Sequence, residues 1–298
     1  MESQVALVTG ASSGIGEQTA LELLRRGFTV YGAARRADRM SAIVDAGGSA
    51  IAMDVTDDAS MRAGVEQILA EHGRIDVLVN NAGYGSYGAL EDVPIDEARR
   101  QFEVNVFGLA RVTQLVLPAM RARRSGTIVN ISSIGGRIYE PLGAWYHATK
   151  FAVEGLSDSL RLELEPHGIR VVVIQPGAIR TEWNGISRRS AIERSGDTAY
   201  AAQARALVRA LEAADRSPGA TGPDVVAATI AKAATARRPR TRYATPFSAK
   251  LIVGMRRMLP DRVFDLVLRS VFSPSREELA DLRAGASSSA SPEVRADA

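Results

Sequence analysis

"VALVTGASSGIG", Val5 to Gly16, is the stretch on which the fold turns. Its first half is an apolar run without polar alternation, the pattern of a strand buried on both faces. Its second half sets Gly10, Gly14 and Gly16 around Ser12 and Ser13 and leads into a helical pattern from Ile15. Such a turn between strand and helix lets backbone N–H groups approach a pyrophosphate, and the helix N-terminus adds a partial positive charge. The stretch therefore predicts the first strand–helix unit of a nucleotide-binding sheet, with Gly10, Ser12, Ser13, Gly14, Ile15 and Gly16 against the phosphates.

Outward from it, short Val- and Ile-rich runs alternate with longer helical patterns, as in successive parallel βαβ units. Strands are predicted at 5–10, 28–34, 49–54, 76–82, 126–132 and 170–175, with a weak seventh at 242–245. Helices are predicted at 15–26, 58–72, 95–121 with an interruption near Asn105, 144–166 and 224–236. The fold class is α/β, a doubly wound Rossmann-type fold with a mostly parallel six- or seven-stranded sheet, whose ligands bind beyond the carboxyl ends of the strands. Residues 1–248 read as the catalytic domain, with a substrate lid at about 182–222. Residues 249–283 read as a basic, apolar helical appendage broken at Pro260, and 284–298 as a disordered tail.

Composition narrows the function. The 298 residues are 46% hydrophobic and 24% charged, enough for a sizeable core, and the net charge is only +3. The arginines are scattered rather than gathered on one stripe with interleaved aromatics, which argues against nucleic acid. There is no cysteine, and His72, His147 and His167 show no ligand spacing, so no metal is expected. No long apolar run or leader pattern appears, and a cytoplasmic protein is expected.

The second predicted strand ends in "AARR", with Ala34 where an acid that holds the ribose 2′-hydroxyl of NAD is usual. Arg35 and Arg36 follow at once and would attract a 2′-phosphate, so NADP(H) is preferred, with NAD(H) still open. Asp54 and Val55, after the third strand, fall on the adenine side; Asp54 could equally cap the helix from residue 58.

"TGASSGIG" (9–16), "NNAG" (80–83), Asn105 in "NVFG", Ser132–Ser133, "YHATK" (146–150) and "PG" (176–177) stand in the order of a known motif set. Over roughly residues 4–245 the chain resembles the short-chain dehydrogenase/reductase family. The resemblance implies a catalytic tetrad of Asn105, Ser133, Tyr146 and Lys150, and a homodimer or homotetramer. It also places Asn81, Ala82 and Gly83 under the adenine ribose, and Pro176, Gly177, Ile179 and Thr181 at the nicotinamide. Ser133 is preferred to Ser132 because the family's serine stands 13 positions before its tyrosine, the interval found here.

The chemistry of these residues fits. Tyr146 and Lys150 lie one helical turn apart. The Lys150 ammonium and a nicotinamide charge would lower the phenol pKa from about 10; a fall of about 2 to 3 corresponds to about 3 to 4 kcal/mol. Tyr146 then acts as acid in carbonyl reduction and base in alcohol oxidation, and Ser133 donates to the substrate oxygen. In the family the asparagine, here Asn105, bends its helix and holds a water that links the lysine to solvent. His147 points about 100° from Tyr146 and reads as a packing or dimer-helix residue.

Tyr84, Tyr139, Leu142, Trp145 and Trp183 are expected to line an apolar substrate pocket, favouring a ketone, aldehyde or alcohol. Two other readings stay open: a reductase of acyl-carrier or polyketide thioesters, marked by a basic patch at Arg188 and Arg189, and a non-catalytic NADP(H)-binding sensor or scaffold. The stretch 249–272 carries apolar residues on one face and four arginines. Packing on the domain, the lid or a second subunit is favoured over peripheral membrane contact.

Overall fold

The computed structural model describes residues 3–217, 220–275 and 278; the stretch expected to form the tail lies outside them. Seven strands form one sheet: β1 (Val5–Thr9), β2 (Thr29–Ala34), β3 (Ser49–Ala52), β4 (Val77–Asn80), β5 (Gly126–Ile131), β6 (Ile169–Pro176) and β7 (Arg242–Thr245). Every pairing is parallel, in the order β3-β2-β1-β4-β5-β6-β7. The chain builds outward from β1 in one direction, then restarts at β4 on the other side. A crevice opens where the direction reverses, at the carboxyl ends of β1 and β4.

The helices fall on both faces. The runs in β1, β4 and β5 are buried throughout, as strands covered on two sides must be. On one face, α1 (Gly14–Arg25) and α9 (Pro223–Thr235) supply Leu23, Val226 and Ile230 to a cluster with Val8, Val79 and Ile174. On the other, α3 (Asp58–His72), α5 (Leu109–Ala122) and α6 (Ala144–Leu164) bring Ile68, Val116 and Leu164 against Leu7, Leu78 and Ile128. Truncating one of the leucines or isoleucines among these to alanine would cost about 2 to 5 kcal/mol.

A short 3₁₀ turn, Ala37–Met40, and α2 (Ser41–Asp45) between β2 and β3 were not expected from the sequence. They bury Met40 and Ile43, but five residues of helix are too few to show a period. The helix from residue 58 is capped by Asp57, whose side chain accepts from the Ala59 and Ser60 N–H groups. Asp54 instead accepts from the Thr56 N–H and hydroxyl, which corrects the idea that it caps this helix.

The interruption near Asn105 is a π turn. Helix α4 (Ile95–Phe102) runs into a π-helical segment, Glu103–Gly108, and continues as α5. After β6 the chain forms α7 (Glu182–Ser195) and α8 (Ala201–Arg216). After β7 it forms α10 (Phe247–Met258) and α11 (Asp261–Phe272), separated at Pro260. Among the described residues no helix is long and apolar enough to cross a membrane, and no cluster of three or more His, Asp or Glu could hold a metal.

Candidate active site

The nucleotide end of the site is built from backbone. Gly10 and Gly14 have φ of 65° and 59°, the left-handed region that glycine tolerates. A Cβ on Gly10 would stand 2.8 Å from Ala82 Cα, and one on Gly16 2.3 Å from the Gly10 carbonyl oxygen, so the loop closes only with hydrogen at these positions. Asn81 ties it to β4 by donating to the Thr9 and Gly10 carbonyls at 3.0 and 3.2 Å. Thr9 Oγ1 accepts from the Asn81 and Ala82 N–H groups at 3.0 and 3.1 Å. Ser13 makes no side-chain cap, which leaves the first turn of α1 facing the crevice as an anion site.

Gly10, Ser13, Gly14, Ile15, Asn81, Ala82, Gly83, Pro176, Gly177, Ile179 and Thr181 all line one cavity of about 560 Å³ together with Tyr146 and Lys150. Arg35 and Arg36 are exposed beyond the end of β2 and form no salt bridge among the described residues. Asp54 lies nearby: burial opposes its ionisation, but the Thr56 hydrogen bonds and the Arg35 charge outweigh this and hold it below the usual carboxylate range. Ser12, Gly16, Arg35, Arg36, Asp54 and Val55 do not line this cavity. Gly16 acts through packing, and the other five stand outside it.

At the opposite end, α6 aligns Tyr146, Lys150 and Glu154 at successive four-residue steps. Lys150 Nζ donates to the Ile131 carbonyl at 3.0 Å and lies 5.9 Å from the centre of the Tyr146 ring. Burial lowers its pKa to about 8, against the Glu154 charge, which raises it. Burial pushes the Tyr146 phenol up; a hydrogen bond from Ser133 lowers it and the Glu140 charge raises it further. The phenol lowered by Lys150 that the sequence led one to expect is therefore not produced by the chain's own groups. Desolvation of a buried phenol wins.

Ser133, not Ser132, reaches Tyr146. Its Oγ also accepts from the Gly135 N–H at 2.9 Å, while Ser132 Oγ is buried without a partner among the described residues. Asn105 Oδ1 accepts from the Tyr84 N–H at 3.0 Å, and its Nδ2 donates to the Tyr84 carbonyl and to Thr149 Oγ1 at 2.9 and 3.0 Å. Both amide protons are thus spent on protein atoms. The π turn lets this side chain clamp the loop after β4 to α6.

Of the five pocket residues expected from the sequence, only Trp183 lines the cavity; its ring centre is 5.2 Å from that of Tyr146. The other four are corrected. Tyr84 donates to Glu97 and is pushed up to about 12 by burial and that carboxylate. Tyr139 donates to Asp265 of α11 at 2.8 Å. Trp145 stacks edge-on against Phe102. Leu142 packs behind the wall in a cluster with Tyr87, Tyr146, Ala191 and Leu207, at φ 63°.

The residues that do line the pocket and were not foreseen include Tyr87, Glu140 and His147 near the phenol. His147 Nδ1–H donates to the Gly135 carbonyl and Nε2 accepts from the Glu140 N–H, so it fastens the wall loop within the chain. The roof comes from Leu211 of α8, Ile252 and Met255 of α10 and Val267, Leu268 and Val271 of α11. Arg188 is ion-paired with Asp215 rather than free to form a basic patch.

The Gly-rich crevice at the sheet's reversal, joined through one cavity to a buried Tyr–Lys pair, defines a nucleotide-dependent oxidoreductase. A family model described as short chain dehydrogenase matches residues 4–191, and the chain belongs to that family. It is 38% identical over 276 residues to a 3-ketodihydrosphingosine reductase of Bacteroides thetaiotaomicron, covering 92% of this chain and 99% of the relative. A solved short-chain dehydrogenase from Streptomyces avermitilis superposes with a TM-score of 0.72 at 34% identity, covering 97% of this chain and 99% of the other. A metagenomic short-chain oxidoreductase in complex with NADP gives 0.64 at 32% identity, covering 81% and 96%. The crevice, with glycines where any side chain would collide, fits a nicotinamide cofactor.

Proposed function

We propose that the protein is an NADP(H)-dependent reductase of an apolar, long-chain ketone or aldehyde, working in reverse on the alcohol. The Gly-rich turn and the N-terminus of α1 would hold the pyrophosphate of the cofactor, which when bound would supply the hydride. Tyr146 gives its phenolic proton to the carbonyl oxygen as that oxygen gains charge, and Ser133 donates a hydrogen bond to the same oxygen. Lys150 restores charge balance beside the phenolate that remains. The observation that carries this reading is the placement of Tyr146: buried, with Ser133 at its phenol and Lys150 Nζ 5.9 Å from its ring centre, in one cavity with the Gly-rich loop. The name of the Bacteroides relative, a reductase of a keto compound, supports the same direction.

The apolar roof supports the substrate class. Ile252, Met255, Val267, Leu268 and Val271 present hydrocarbon to the cavity, and the described lining contains a single lysine and no arginine. Residues 249–272 then serve as part of the substrate site rather than as an independent appendage, with α7 and α8 as the rest of the lid. Exposed Phe107, Phe151 and Leu162 on α4 to α6 support a homo-oligomer formed through that face. Arg35 and Arg36, exposed and without a salt bridge among the described residues, support NADP(H) over NAD(H).

The test is a spectrophotometric screen of ketones, aldehydes and alcohols of increasing chain length with each cofactor, with Tyr146→Phe as control. Turnover that rises with chain length and prefers NADP(H) is expected. Full activity in Tyr146→Phe would refute the mechanism, and equal or tighter use of NAD(H) would refute the role of Arg35 and Arg36.

A further inference from the structure

Three carboxylates line the cavity: Glu140, Glu182 and Asp215. Glu182 pairs with Arg39 at 3.0 Å, and Asp215 with Arg188. Glu140 has no arginine or lysine partner among the described residues. Its Oε1 accepts from the Tyr87 hydroxyl at 2.6 Å. The nearest group able to carry positive charge is His147, 3.9 Å away, whose Nε2 already accepts from the Glu140 N–H and therefore carries no proton.

The side chain of Glu140 is 16% exposed, and the residue lines the cavity. A carboxylate this far out of water on a mostly hydrocarbon wall is expected to have a counter-charge. Its place is also specific. The Tyr87 ring that bonds it stands 5.7 Å from the Tyr146 ring, and its charge reaches the phenol strongly enough to raise it. This anion, without an arginine or lysine partner among the described residues, is thus about one aromatic ring from the proton donor and shares its cavity with the apolar side chains of α10 and α11.

We propose that Glu140 binds a cationic substituent carried beside the reacting carbon, so that the substrate is an amphipathic amino ketone or the corresponding amino alcohol, with its ammonium on Glu140 and its alkyl chain along α10 and α11. This rests on the oxidoreductase reading for the reaction, but the binding site stands on its own geometry. A neutral ketone of the same length leaves Glu140 uncompensated. The ammonium also removes the negative field that holds the phenol proton, and so eases its transfer in the complex that contains the right substrate.

The experiment compares two long-chain ketones that differ only in an amino group on the neighbouring carbon, using the full-length enzyme with its cofactor. The amino ketone is expected to have the higher kcat/KM by about 30-fold or more, the size of a desolvated charge contact. In Glu140→Gln, which keeps the acceptor for Tyr87, that ratio should fall to within about threefold of unity; Glu140→Asp should restore part of it. A second readout needs no turnover: dodecylammonium should bind to the wild-type protein more tightly than dodecanol, and Glu140→Gln should erase the difference.

If both ketones are reduced equally well and Glu140→Gln leaves their ratio unchanged, the ammonium site is overturned while the reductase reading survives. If neither ketone turns over but dodecylammonium binds in a Glu140-dependent manner, the ammonium site stands and the reductase reading fails. Thermal denaturation of Glu140→Gln separates either result from misfolding; if it does not fold, the two binding measurements on Glu140→Asp decide, and the absence of any preference for the ammonium in wild type overturns the proposal outright.

Discussion

Beneath the cavity, Asn81, Asn105, Ser133 and Lys150 are each tied by hydrogen bonds to a backbone group at fixed distance. Above it, α10 and α11 present half-buried hydrocarbon, and among the described residues few hydrogen bonds tie them to the body of the protein, Tyr139 to Asp265 being one. The lower half positions atoms to a fraction of an ångström, as proton transfer needs. On the proposed function, the upper half sets the volume and polarity that admit a hydrocarbon chain, and the lower half carries the proton transfer together with the charge beside the reacting carbon.

The largest effect is expected in the lower half. Tyr146→Phe keeps the ring contacts with Tyr87 and Trp183 but removes the proton, and kcat/KM should fall by about 10² to 10⁴ for every substrate alike. Steady-state kinetics across chain lengths checks this; a loss confined to long chains would contradict the division. The lower half also sets a pH limit. Lys150, lowered to about 8 by burial, is charged below that value and neutral above it, so the reduction rate should decline as pH rises through about 8. A pH–rate profile without an alkaline limb near there would remove Lys150 from charge balance.

A smaller effect is expected at the cofactor end. Replacing Arg35 and Arg36 together with alanine should lower the preference for NADPH over NADH by about 10- to 100-fold, read as a ratio of kcat/KM values, through loss of charge-assisted hydrogen bonds. Val267→Asp in the roof should raise KM for long-chain ketones about tenfold and affect short ones far less, because only the former reach α11. The smallest effect should come from Trp145→Phe. The ring packs on Phe102, away from the cavity, and kinetic constants should stay within about twofold of wild type.

What could be read from the sequence follows the range of the interactions. The strand–turn–helix at 5–16 and the fully apolar strands announced the parallel sheet, and α3 and β7 begin and end where their patterns do. The Tyr146–Lys150 pair was legible because a four-residue helical step is local. Glu140 and Tyr87 were not, since the loops holding them meet only in the folded chain. Nor were the roof residues, whose helical pattern gives no hint of what they face. Trp145 is instructive: adjacency to Tyr146 made it look like a pocket residue. The 100° step between neighbours turns Trp145 away from Tyr146 and onto Phe102, whereas His147 still borders the cavity through the wall loop it fastens.

The π turn at Glu103–Gly108 has a consequence for insertions and deletions. By adding a residue to one loop of the helix, it changes the rotational phase of α5 relative to α4. Past it, Leu109, Val112, Val116 and Met120 fall on the buried side. Deleting one residue there would rotate everything downstream by about 100° and present a different set of side chains to the sheet. This segment is therefore an angular coupling whose length is fixed by two partners at once: Asn105 on one side of the phase step and the packed stripe of α5 on the other.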